Sequence, residues 1–136
     1  MARDLVVFLR RPGGQAQFST QHAERQPLRE VQRWIAEHPD GDLSVDALAD
    51  RCALSPRHFA RAFAAEVGVT PGRYVDGVRL ETARRQLEDT DDAIEKIARS
   101  SGYGTPESMR PPFVRALAVP PTEYRHRFRT HRPGEN

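Results

Sequence analysis

Apolar side chains recur along this chain at the three- and four-residue spacing that places them on one face of a helix. The first clear stripe begins at Leu28 and continues through Val31 and Ile35 before the turn residues 38–42 interrupt it. Further stripes follow, and each is ended by glycine, by proline or by a residue suited to begin the next helix; the longest covers about residues 72–88. The pattern predicts an all-α fold of about seven helices.

One predicted helix divides its two faces sharply. It begins at Ser55, which is a good N-cap and is followed by a proline at the first helical position. Phe59 and Phe63 fall on the inner face, whereas Arg57 and Arg61 fall on the outer face one turn apart. No acidic residue shares the arginine face. The helix is therefore suited to contact an anion.

The pattern is duplicated in the second half of the chain. An apolar triplet recurs at an offset of 49 residues, and after one inserted residue the offset becomes 50. The matching pairs are Val45 and Ile94, Leu48 and Ile97, Ala49 and Ala98, Ser55 and Thr105, Phe59 and Met109, Phe63 and Phe113, Pro71 and Pro121, and Tyr74 and Tyr124. Each copy is a short helix, a tight turn and a second helix with a polar outer face. We therefore predict helix-turn-helix units at about 44–66 and 93–117, joined by the long helix.

A helix-turn-helix unit that binds DNA places its second helix, here called the reading helix, in the major groove. Arg57 and Arg61 occupy the N-terminal turns of the first reading helix, and an outward arginine can bond to guanine O6 and N7. The N–H groups at the start of such a helix can hold a phosphate. A second interpretation stays open, in which the repeat binds another protein and both arginines only make the surface soluble. The pattern favours the interpretation that the repeat binds DNA.

The composition permits nucleic-acid binding without requiring it. The chain has 136 residues and a net charge of only +2, with a pI near 9.1. Lys96 is the only lysine among 21 basic residues. Arginine offers a planar bidentate fork for phosphate or guanine that lysine lacks, although a GC-rich genome would produce the same bias.

Other functional classes find little support in the sequence. No run approaches the roughly 18 apolar residues of a membrane span, so we expect no membrane partner. The lone Cys52 cannot form an internal disulfide, which is consistent with a cytoplasmic location. The five histidines show no metal-ligand spacing, and no nucleophile–base pair stands out. We therefore expect no enzymatic activity, no metal and no cofactor.

Four segments carry a resemblance to a known family. They are LADRCALSPRHFARAF, GVTPGRYVDGVRLETARRQLEDT, IEKIARSSGYGTPESMRPPF and VPPTEYRHRF. Over about residues 28–128 the chain resembles the DNA-binding domain of the AraC/XylS family of bacterial transcription regulators. The preceding RRPGGQAQF resembles the junction of the subfamily whose N-terminal sensor is similar to class I glutamine amidotransferases. This chain would then be the C-terminal half of a longer regulator, with residues 1–27 a linker and remnant of the upstream domain and residues 129–136 a disordered tail.

The resemblance implies seven helices and two units that meet successive major grooves. The residues it assigns to base reading are Arg57, Arg61, His58, Glu107 and Arg110. Those it assigns to phosphate contacts are Ser55, Arg79 and Thr105. Double-stranded DNA is the expected partner, RNA polymerase is a further candidate, and activation is the family's usual mode. We expect this fragment to be monomeric, and the full-length protein to dimerise through the missing sensor.

The second unit departs from the family pattern. Pro111 and Pro112 stand where a continuous helix is expected, and each removes an N–H and crowds the preceding turn. Pro111 also replaces the counterpart of Arg61, and Glu107 stands where it would repel phosphates. We therefore predict a kinked or shortened second reading helix, with the first unit supplying most of the specificity. The open alternative is a protein-interaction module whose DNA binding has decayed.

Two alanines stand at turn positions that favour glycine. Ala118 takes the place of Gly68 at the end of the second reading helix, which weakens the stop signal there. Ala53, in the turn of the first unit, is predicted to carry a small strain.

Overall fold

Seven α-helices form the part of the chain that the structure describes. The computed structural model describes residues 19–130. Its helices are α1 (Ser19–Glu37), α2 (Val45–Arg51), α3 (Pro56–Val67), α4 (Pro71–Asp89), α5 (Ile94–Ser100), α6 (Pro106–Leu117) and α7 (Pro121–Thr130). No strand occurs within this range, and the predicted all-α fold is confirmed.

The long helix α4 contributes to two separate hydrophobic cores. The first core combines Leu28, Val31, Ile35, Leu43, Leu48, Ala49, Cys52, Phe59, Phe63 and Val67 with Tyr74, Val75 and Val78 of α4. The second combines Leu80, Ala83 and Leu87 of α4 with Ile97, Ala98, Met109 and Phe113. Each core therefore holds one helix-turn-helix unit, α2–α3 or α5–α6, against its own half of α4.

The sequence repeat is visible in the packing of aromatic rings. Phe63 meets Tyr74 edge to face, with ring centroids 5.5 Å apart and an interplanar angle of 73°. Phe113 meets Tyr124 at 5.4 Å and 74°. Each pair joins a reading helix to the helix that follows it, α3 to α4 and α6 to α7, in the arrangement that aromatic rings prefer. The two units are thus duplicated in three dimensions as well as in sequence.

The first helix begins earlier than apolar periodicity predicted. α1 starts at Ser19, so residues 19–27 of the predicted linker are helical. Two tertiary contacts hold the segment. Arg25 Nε lies 3.3 Å from a carboxylate oxygen of Glu66 on α3, and Cys52 Sγ lies 3.7 Å from the carbonyl of Pro27. Neither contact involves the periodic apolar positions from which the start of the helix was predicted.

Two left-handed backbone positions recur in both units, but the units distribute glycine differently. The turn position is Ala53 (φ 56°) in the first unit and Gly102 (φ 102°) in the second. The end of the reading helix is Gly68 (φ 98°) in the first and Ala118 (φ 70°) in the second. The backbone strain predicted at Ala53 is confirmed. α6 still ends in the equivalent place, because Ala118 adopts the left-handed cap and its N–H bonds to the carbonyl of Val114.

The second reading helix keeps its full length despite its two internal prolines. α6 has 12 residues, as does α3, and it runs without interruption through Pro111 and Pro112. The predicted shortening is therefore wrong. The carbonyls left without an N–H partner belong to Glu107 and Ser108, which are exposed and can bond to water. Packing of the fully buried Phe113 in the second core holds the helix beyond the prolines.

The two predicted chain ends are only partly covered by the structure. Residues 1–18, which include most of the proposed remnant of an upstream domain, lie outside the described residues. Residues 131–136 of the predicted disordered tail also lie outside them. The first two residues of that predicted tail, 129 and 130, are helical, because α7 continues to Thr130.

Candidate nucleic-acid interface

The reading helix α3 is held by three buried side chains at helical spacing. Phe59 and Phe63 are 0% exposed and Val67 is 4% exposed. The helix begins at Ser55, whose Oγ accepts a hydrogen bond from the N–H of His58 at 3.1 Å. A helix that is capped at its start and buried along one face presents its other face in a defined orientation.

That other face carries Arg57 and Arg61. Both side chains are exposed, and within residues 19–130 neither forms an ion pair. The one acidic residue of α3, Glu66, is engaged with Arg25 on α1 at 3.3 Å. The two guanidinium groups can therefore direct their charge to a ligand outside the chain.

Two further predicted contacts lie at the start of the same helix. Ser55 is exposed, and its hydroxyl oxygen is already the N-cap acceptor, so its O–H remains the group that could donate to a phosphate. His58 is less exposed than the neighbouring arginines. The structure therefore gathers Ser55, Arg57, His58 and Arg61 into the first two turns of α3. Their contacts with DNA stay predictions.

The reading helix α6 presents a different set of charges. Thr105 caps it by accepting from the N–H of Ser108 at 3.1 Å. Glu107 and Arg110 are both exposed in its first turns. A carboxylate therefore shares the outer surface with an arginine, whereas α3 exposes arginines without a neighbouring acid. These predicted contacts are brought together on one helix, but with mixed charge.

One exposed cation on α6 was not among the predicted DNA contacts. Arg115 lies in the last turn of the helix and is exposed. The repeat aligns it with Ala65, so the comparison of the two units carried no signal for it. Pro111 is exposed at the position that corresponds to Arg61.

Arg79 is engaged by the protein backbone. Its Nε donates to the carbonyl of Pro39 at 2.9 Å, and its Nη2 donates to the carbonyl of Gly41 at 3.2 Å. Both acceptors belong to the connection between α1 and α2. The guanidinium group therefore ties α4 to the connection that leads into the first unit, and its expected phosphate contact stays a prediction.

Another arginine of α4 belongs to a largely buried ionic network. Arg84 pairs with Glu81 and Glu88 on its own helix, and its side chain is only 14% exposed. The O–H of Tyr124 on α7 donates to Glu88. The hydrogen bond to Glu81 raises the pKa of Arg84, and burial raises the pKa of Tyr124 to about 12. Arg84 therefore stabilises the contact between α4 and α7.

Two arginines of α7 bind the carboxyl-terminal end of α4. Arg125 donates to the carbonyls of Leu87 at 3.3 Å and Thr90 at 3.1 Å. Arg129 donates to the same Thr90 carbonyl and pairs with Asp91. Cations at a helix C-terminus satisfy its free carbonyls and complement the helix dipole. These side chains hold α7 against the end of α4.

The described residues contain no candidate metal site and no candidate membrane span. Among residues 19–130, no group of three or more His, Cys, Asp or Glu side chains is arranged to hold a metal ion. None of the seven described helices has the length and apolar character needed to cross a membrane. Cys52 is buried, and burial raises the pKa of its thiol, which keeps it protonated near neutral pH.

Comparison with known families gives the two units an identity. A family model described as a helix-turn-helix domain matches residues 48–127, which run from α2 into α7. The chain belongs to the AraC family of helix-turn-helix transcription regulators. This is a family of DNA-binding regulators, and the expectation that the chain is not an enzyme is confirmed on that ground.

Two relatives and one solved structure illustrate the similarity. The HTH-type transcriptional regulator Rv1931c of Mycobacterium tuberculosis is 51% identical over 84 residues, which cover 62% of this chain and 32% of the relative. The HTH-type transcriptional activator RhaS of Pectobacterium carotovorum is 32% identical over 122 residues, which cover 90% of this chain and 43% of the relative. The chain thus spans less than half the length of either relative.

The solved structure is the DNA-binding domain of AdpA in complex with a target DNA. It superposes with a TM-score of 0.76 at 34% identity, covering 79% of this chain and 97% of that one.

Proposed function

We propose that this chain binds double-stranded DNA sequence-specifically, as the C-terminal half of a bacterial transcription activator. The observation that carries the proposal is the outer face of α3, where Arg57 and Arg61 are exposed and without ion pairs among the described residues. An arginine placed in the major groove can bond to guanine O6 and N7, which is worth about 1–3 kcal/mol of discrimination. The similarity to a DNA-bound domain and to a named activator supports it.

The first unit is proposed as the main reader of sequence. α3 combines a rigid inner face with two arginines, whereas α6 exposes Glu107 beside Arg110. A carboxylate can accept from cytosine N4 but repels the phosphate backbone, so α6 is expected to add less affinity. Arg115 would contribute a phosphate contact from the same helix.

The remaining predicted residues receive supporting roles in the proposal. His58 reads a base edge beside the two arginines, and the hydroxyls of Ser55 and Thr105 contact phosphates at the helix starts. Helix N-termini favour such anions because their N–H groups and dipole point toward them. Phosphate contacts position the protein on the duplex, while base contacts specify the sequence.

The proposal also covers partners and context. The DNA-binding domain corresponds to residues 28–128, with the α1 segment from Ser19 packed onto it. RNA polymerase is proposed as the protein partner of an activator. The fragment is proposed to bind as a monomer, and the full-length protein to dimerise through its sensor. Because bacterial DNA lies in the cytoplasm, the protein is proposed to act there.

Selection of binding sites from a pool of random duplexes tests the proposal. We expect one enriched motif, and we expect affinity for it to fall with salt at a log–log slope of about −0.9 per neutralised phosphate. A pool without enrichment, together with binding that does not respond to salt, would contradict DNA binding and favour the protein-interaction module.

A further inference from the structure

Arg79 lies at the boundary between the two cores. Val78 packs in the first core and Leu80 in the second, so Arg79 occupies the one position of α4 between them. Its guanidinium group bonds to the carbonyls of Pro39 and Gly41, in the connection that leads into the first unit. The side chain therefore lies where the two cores adjoin.

The turn of the second unit packs directly on this arginine. A Cβ built on Gly102 would lie 2.1 Å from the carbonyl oxygen of Pro39 and 2.4 Å from Nε of Arg79. Real Cβ atoms do not approach other atoms this closely, and one of the two obstacles is backbone. The connection between α1 and α2, a side chain of α4 and a turn in the second unit thus meet at one point.

Both the backbone and the contact require a glycine at position 102. The equivalent turn of the first unit holds Ala53 at φ 56°, whereas Gly102 lies at φ 102°, a conformation that residues with a Cβ rarely adopt. Gly104, two residues after Gly102, has a similar φ of 91°, but a Cβ there would meet nothing within 4 Å. Of the two glycines, only Gly102 is also opposed by Pro39 and Arg79.

The residue after Gly102 lies close to the same contact. Tyr103 packs against the second core and is only partly exposed. Burial raises the pKa of its phenol; the Asp76 carboxylate adds to this effect and the Arg79 guanidinium opposes it. Tyr103 therefore lies near two charged groups of α4, beside the turn that carries Gly102.

We propose that Arg79, Gly102 and the Pro39–Gly41 connection form a junction that fixes the orientation of the second unit relative to the first. The junction thereby sets the spacing at which α3 and α6 can contact one duplex. This inference rests on the proposed DNA binding for its consequence, but not for the geometry. In this role Arg79 and Gly102 are positioning residues that need not touch DNA.

The consequence for binding follows from the linkage of two modules. When two binding units are held at the spacing of their sites, the second contact forms at a high effective concentration. Loosening the junction lowers that concentration and weakens binding to the two-part site. Binding of the first unit to its own half of the site is left intact.

Residual dipolar couplings of the free, isotope-labelled full chain test the geometry without DNA. In the wild type, amides of α3 and α6 should fit a single alignment tensor. In Gly102→Ala, the couplings of each unit should still fit that unit's own structure but require a separate tensor. The matched control Gly104→Ala places a Cβ at a similar positive φ without the contact, so its two units should still share one tensor. If both units of Gly102→Ala fit one shared tensor with the wild-type orientation of α6, the proposed junction would be overturned. Should Gly102→Ala fail to fold, Arg79→Met answers the same question. It keeps an unbranched apolar side chain and removes the N–H groups that bond to Pro39 and Gly41.

A second measurement tests the consequence on the selected duplex. Affinity is compared between the whole site and a site whose second half is scrambled. We expect Gly102→Ala to lose about tenfold or more on the whole site and less than about twofold on the scrambled one, with Gly104→Ala unchanged on both. Equal losses on both sites would overturn the positioning role. Absence of wild-type binding to any duplex would instead refute the proposed function and leave the couplings to decide the junction.

Discussion

Replacing both internal prolines of α6 by alanine should stabilise the second unit. In a regular helix the N–H groups of residues 111 and 112 would bond to the carbonyls of Glu107 and Ser108, and proline leaves both bonds unmade. An interior proline costs about 3 kcal/mol relative to alanine. Here the cost is smaller, because both carbonyls lie on exposed residues and because each proline also restricts the unfolded chain by about 0.4–1 kcal/mol. The double variant Pro111→Ala with Pro112→Ala should therefore gain about 2–3 kcal/mol.

Thermal and urea denaturation followed by circular dichroism measure this gain, which corresponds to a rise in Tm of about 10 °C. Pro106→Ala is the matched control. Pro106 occupies the first position of the same helix, where a missing N–H has no helical partner, so no gain is expected there. If the two cores unfold separately, slower hydrogen exchange of the α6 amides reports the gain in stability of the second unit alone. A double variant no more stable than Pro106→Ala would refute the view that α6 is complete but strained.

Three smaller predictions concern the contacts that support the interface. Arg84→Met leaves two largely buried carboxylates, Glu81 and Glu88, without the cation that they share, and should destabilise the protein by about 3 kcal/mol in urea denaturation. Ala118→Gly relieves a left-handed alanine and should raise stability by about 0.5–1 kcal/mol in the same assay, after allowance for the freer unfolded chain. The pKa of Tyr124 is raised from 10 to about 12, so its contribution is present below pH 10 and lost as pH rises toward 12. The stability difference between wild type and Tyr124→Phe should therefore shrink over that range.

Much of the fold was predictable because its apolar pattern occurs twice in the sequence. The repeated apolar positions located both units, and the Phe63–Tyr74 and Phe113–Tyr124 contacts are the same repeat seen as packed rings. The N-caps were equally local, since Ser55 acts on an N–H three residues away. Local and duplicated features are those that sequence patterns report well.

The features that were missed depend on contacts distant in sequence. Arg79 finds its acceptor Pro39 40 residues away, and no local pattern distinguishes it from an arginine that contacts phosphate. Arg84 and Arg61 are both helical arginines, yet one is enclosed by carboxylates and the other is exposed. The early start of α1 likewise depends on the pairing of Arg25 with α3.

The central claim is that α3 reads DNA through its two outward arginines, and one affinity comparison tests it most directly. Arg61→Ala is measured against Arg33→Ala, which removes the same charge from an exposed position on α1, outside both units. On the selected duplex, Arg61→Ala should cost at least about 1 kcal/mol and relax the preference at one base pair. Arg33→Ala should cost less and leave the preference unchanged. Equal losses for the two variants with an unaltered base preference would contradict the account.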